Sequence, residues 1–146
     1  MNTGLLHLHN ALRWVILISL LMSIYKLYSK KDALKTSKIL LISSHSTLLL
    51  GLYQYFFGAV GIKMIQAAGM GVAMKDATTR FWAVEHISSM LIAIVLITIG
   101  HISYKKTQNA SKTTVFYVIA LLLIVLAMPW PFREGIGRPW FPGMGM

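Results

Sequence analysis

The stretch RFWAVEHISSMLIAIVLITIGH, residues 80–101, is apolar over the length of a membrane span, yet it carries Glu85, His86 and His101. A helix crosses a bilayer with about 20 largely apolar residues. An ionisable group near the centre of such a span costs about 2.5–3.5 kcal/mol on insertion scales, so it normally faces the bundle interior with a partner or a function.

The rest of the chain has the same character. Of its 146 residues 56% are hydrophobic and 12% charged, with a mean hydropathy of +0.65, too apolar for an ordinary soluble domain. Four spans are expected: Leu5–Tyr28, Ile39–Phe57, Phe81–Tyr104, and Val115–Met128 reaching Trp130. The runs are too long for barrel strands and lack their alternation, so the fold class is all-α, an integral membrane four-helix up-down bundle. The connection AVGIKMIQAAGMGVAMKDATT, with Gly61, Gly69 and Gly71 among apolar residues, predicts a short interfacial helix and then a flexible turn. Pro129 and Pro131 stop the fourth helix, with Trp130 and Phe132 at the interface and Arg133 in water. Residues 1–133 thus form the transmembrane domain and 134–146 an irregular Gly/Pro-rich outer tail.

The net charge of +10 is a topology signal. Eight of the fourteen basic residues lie in or beside two short loops: Lys26, Lys30, Lys31, Lys35 and Lys38, then Lys105, Lys106 and Lys112. The positive-inside rule puts these loops in the cytoplasm, with both termini and the 58–79 connection outside. No basic stripe interleaves with aromatics on a soluble face, so nucleic acid is not the expected partner; membrane lipid is. The opening MNTGLLHLHNALRW has neither a basic n-region nor a cleavage motif after it, so the first helix is expected to stay. Without cysteine, disulfides, thiolate zinc sites, iron–sulfur clusters and covalent c-type haem are excluded.

What remains is imidazole chemistry. His86 and His101 are roughly 22 Å apart along one helix and about 60° apart around it, so both can face the interior. Two imidazoles at two depths are what two stacked b-type haems need, each iron taking a neutral nitrogen from each of two helices. By depth His9 matches His86, and His45 more loosely matches His101. His7 points about 200° away from His9, toward the water boundary. Arg13 follows His9 by four residues on the same face, and Glu85 lies at similar depth, which predicts an Arg13–Glu85 pair that either joins two helices or holds a propionate, a quinone oxygen or a proton.

Nine methionines, with Met64, Met70, Met74, Met128, Met144 and Met146 on the expected outer side, raise copper(I) as another reading. Methionine more often fills core gaps. No hydrolase triad or phosphate-binding glycine loop is present.

Together, HNALRW, HSTLLLGLYQYFFG, MKDATTRFWAVEH, LITIGH and PWPFR resemble a family of small four-helix membrane proteins of Bacteroidetes, labelled hypothetical or cytochrome b-like. The resemblance spans Leu5 to Arg133 and implies His9, Arg13, His45, Glu85 and His86, with His101, as the polar motif positions. It departs from diheme cytochromes b, which carry both ligand pairs on two helices; here His9 and His45 lie on separate ones. The expectation is a b-type cytochrome of the bacterial inner membrane with one or two haems, or a haem-bearing subunit of a respiratory complex, with quinol as a candidate electron donor. The alternatives are a cofactor-free accessory subunit of a larger membrane complex and a copper-handling protein.

Overall fold

In lipid every backbone amide must be satisfied within its own segment, and the long apolar runs satisfy theirs as helices. The computed structural model describes residues 3–144, so the expected outer-side Met146 lies outside the described residues. The long helices are α1 (Thr3–Tyr28), α2 (Leu34–Phe57), α6 (His86–Thr107) and α7 (Ala110–Ala127). All four are long and apolar enough to cross a membrane, and no strand occurs among the described residues. The fourth starts earlier than expected because Asn109 caps it, accepting the Lys112 amide at 3.0 Å.

Each long helix packs on two antiparallel neighbours, α1 on α2 and α7, and α6 on α2 and α7, so α1 and α6 face each other diagonally. Leu20, Leu40, Ile97, Ala93, Ala120 and Tyr117 are fully buried at the centre. The outside is equally apolar: Leu126 and Leu49 are 74% and 71% exposed. A surface of this kind is stable against acyl chains, not water.

Two tight turns form the lysine end. Lys30 takes a left-handed φ of 55° while the Lys31 amide donates to Lys26, and Gln108 does the same at φ 53°. Tyr104 accepts the Ala33 amide, tying the first turn to α6. Between α6 and α7, Gly100 permits a close approach: a Cβ there would lie 2.7 Å from the Tyr117 ring. Gly100→Val should therefore lower stability by about 1–3 kcal/mol through overpacking, read as a fall in the thermal midpoint of the solubilised protein.

The opposite end, here the tail end, is more ordered than expected. The 58–80 connection forms three short helices, α3 (Ile62–Ala68), α4 (Met70–Lys75) and α5 (Ala77–Arg80), where one helix and a flexible turn were anticipated. Gly69, at φ +80°, turns the chain between the first two. Asp76 caps the third by accepting the Thr79 amide at 2.8 Å, and the Thr79 hydroxyl and amide hold its carboxyl below the usual carboxylate range. Residues 81–85 then form a π-helical turn leading into α6. The tail after Pro131 is irregular, as expected, but folds back over the bundle: Arg13 donates to the carbonyls of Pro139 and Trp140, and Trp14 to that of Trp140.

Candidate cofactor cavity

A cavity of about 440 Å³ opens inside the tail half of the bundle, within the ~300–1,000 Å³ typical of small-molecule and cofactor sites. His9 from α1 and His86 from α6 both line it. Its walls are mostly apolar, among them Leu48, Met90, Ile94, Ile97, Ile124 and Met128, and Arg13 and Arg138 stand on its lining as well. Diagonal helices leave the widest gap in a four-helix bundle, which is why the space lies between these two.

Each histidine is positioned by a local feature. His86 is the first residue after the π-turn, and its Nδ1 hydrogen-bonds the Ala127 carbonyl at 2.8 Å. A carbonyl only accepts, so Nδ1 carries the proton and the neutral ring keeps its lone pair on Nε2. The same bond satisfies a carbonyl at the C-terminus of α7, where helical partners run out. His9 lies over Gly51 of α2, where an added Cβ would come within 3.2 Å of its Cε1. Its Nδ1 is buried without a hydrogen-bond partner.

Arg13 and Glu85 are not a pair. Glu85 is exposed and bound to Arg80 at 2.6 Å, while Arg80 also donates to the Met74 carbonyl. The depth estimate assumed a regular helix, whereas the π-turn inserts a residue before His86 and swings Glu85 outward. Arg13, 8% exposed, is instead committed to the tail carbonyls of Pro139 and Trp140.

Nor are His45 and His101 brought together. His45 is exposed toward lipid, its Nδ1 donating to Leu41 of its own helix at 2.8 Å. His101 is buried near the lysine end, where its Nδ1 meets the Ser37 hydroxyl at 2.8 Å and Ser37 in turn bonds the Tyr117 hydroxyl. His45 is eight residues beyond Ser37, roughly 12 Å along α2 and about 80° around it. The expected second pair is therefore split, and His101 belongs to a polar clamp joining α2, α6 and α7.

Among the other candidates, His7 is exposed at the cavity edge. Met70 and Met74 are exposed on α4, away from the cavity lined by His9, whose thioethers are Met90 and Met128. No cluster of three or more His, Cys, Asp or Glu side chains suited to a metal occurs among the described residues.

Arg138 was not anticipated. Its guanidinium stacks on Trp82, 4.8 Å from the ring centroid, and burial pushes its pKa below the ordinary arginine value. The available signal was an arginine between Gly137 and Pro139 in a chain with only four acidic residues. Tyr55, which donates to the Ala83 carbonyl inside the π-turn at 3.0 Å, was also missed. The chain matches no family model, no curated protein and no solved structure.

Proposed function

We propose that this chain is a b-type haem-binding electron-transfer protein of the bacterial inner membrane, acting alone or as a small subunit of a respiratory assembly, with one haem between His9 and His86. The observation that carries this reading is the pair of imidazoles on diagonal helices facing one largely apolar cavity, His86 with its Nδ1 already committed to a carbonyl. That second bond is the usual companion of a metal-ligating histidine: it orients the ring and makes the other nitrogen more basic. His9 lines the same cavity, its Nδ1 buried against Gly51 without a hydrogen-bond partner among the described residues.

A haem bound there would supply a one-electron couple. The chain's own contribution is a largely aliphatic and thioether wall that favours a planar apolar body. The electron donor fitting this setting is a quinol in the surrounding lipid, or a neighbouring subunit. We place the lysine end in the cytoplasm by the positive-inside rule, which puts the cavity in the outer half of the membrane.

Purified full-length protein from haem-replete cells is expected to give a Soret band, a sharp alpha band on dithionite reduction, and one haem per chain by pyridine haemochrome. Protein without a Soret band sinks the proposal. A cofactor-free accessory subunit is the second reading, favoured by the contacts through which His101 joins α6 to α2 and Arg80 joins α5 to α4; it expects that blank spectrum.

A further inference from the structure

The cavity carries cations for which the described side chains supply no counter-charge. Arg13 is 8% exposed, and its Nε is buried without a hydrogen-bond partner although its Nη2 is bound to the tail. Arg138, on the same lining, contacts Trp82 through its ring face and donates no side-chain hydrogen bond among the described residues. The four acidic side chains lie elsewhere. Asp32 caps the lysine-end turn, Asp76 caps α5, Glu85 holds Arg80, and Glu134 is exposed in a separate cleft beside Arg133. The one ion pair among the described residues is Arg80–Glu85.

A buried guanidinium without an anion is costly, since desolvation is unrecovered unless charge or hydrogen bonds replace water. The buried Arg13 and the half-buried Arg138 beside an apolar chamber define a ligand with an apolar body and an anionic head. We infer that Arg13 and Arg138 form an anion site on the cavity wall for the carboxylates of such an amphiphile, held under the folded-back tail at Arg138–Trp140. For the identity of the body this rests on the haem reading; for the charge of the head it does not. Arginine suits the role because its planar fork meets a carboxylate through two parallel bonds.

The test uses full-length protein in nanodiscs and an iron-free probe, so axial ligation does not enter. Protoporphyrin IX and its dimethyl ester are titrated separately while tryptophan emission is followed, Trp82 lying on the cavity wall. Wild type is expected to bind the diacid about 10-fold more tightly than the diester, as for loss of a charged hydrogen bond. Arg138→Gln should bring the two within about 2-fold, and Arg138→Lys should keep part of the preference. Equal affinities in wild type, or an unchanged preference in Arg138→Gln, overturn the site. So does a preference present in phosphatidylcholine discs but abolished in phosphatidylglycerol discs, which would assign the cations to lipid phosphate. Haemin titrated in parallel separates the two ideas. A bis-imidazole spectrum without any diacid preference removes the anion site alone, and a diacid preference without that spectrum removes the haem reading alone.

Discussion

In His86→Ala protein the haem absorbance expected of the wild type should vanish, and His9→Ala should do the same, whereas His45→Ala should leave the spectrum unchanged. His86 and His9 are the imidazoles that share the cavity, and His45 is exposed and turned onto its own helix. Removing a ligand's hydrogen-bond partner already weakens metal binding by about 10–100-fold, so removing the ligand should cost more than about 100-fold. His101→Ala provides the sharper control. It breaks the bond to Ser37 and leaves that buried hydroxyl with Tyr117 alone, which should lower stability by about 1–3 kcal/mol and keep the haem bands. Loss of the bands in His101→Ala, in protein that remains folded by circular dichroism, would return His101 to the site and contradict the single-haem reading.

Arg13→Ala should release the tail. Its Nη2 donates to two successive tail carbonyls, with Asn10 reaching Pro139 at 3.3 Å and Trp14 reaching Trp140 at 2.8 Å beside it. Trp140 also stacks on Trp14, with ring centroids 6.2 Å apart. A hydrogen bond from a charged group contributes about 1.5–3 kcal/mol, so the released-tail population should rise by roughly 10- to 100-fold. Acrylamide quenching of tryptophan emission and faster amide exchange at Arg138, whose amide is bonded to Pro129, would register the change. Arg13→Lys should give an intermediate result, since one ammonium cannot reproduce the planar fork. Unaltered exchange in Arg13→Ala would mean that the Trp14, Trp130 and Trp140 packing and the Asn10 and Trp14 hydrogen bonds hold the tail without Arg13.

Much of the fold follows from local runs. The first span is read within two residues of Thr3–Tyr28; the second starts earlier than expected, where the first turn Leu34–Lys38 is helical but not apolar, and in the third the expected first turn, Phe81–Glu85, is π-helical. The start of the fourth helix at Ala110 was not read from the sequence, because Thr113 and Thr114 sit in α7 by bonding back to carbonyls four residues earlier. His9 and His86, matched by depth in the sequence, both line one cavity. The same count failed for His45 and His101, where a tolerance of one or two turns and an unknown azimuth were enough to separate the rings.

Composition and run length alone determine that this chain makes membrane helices, how many it makes, and which loops carry the positive charge. That is a local property, because in lipid each segment must bond its own backbone whatever its neighbours do. Side-chain partnership is not local. Arg13 is bound to carbonyls 126 and 127 residues away, and Glu85 is turned from it by a single π-turn that no periodicity announces. Only the packed bundle could decide that one pair of imidazoles shares a cavity, that another is split between lipid and a hydroxyl clamp, and that the tail brings a second arginine to the cavity wall that Arg13 lines.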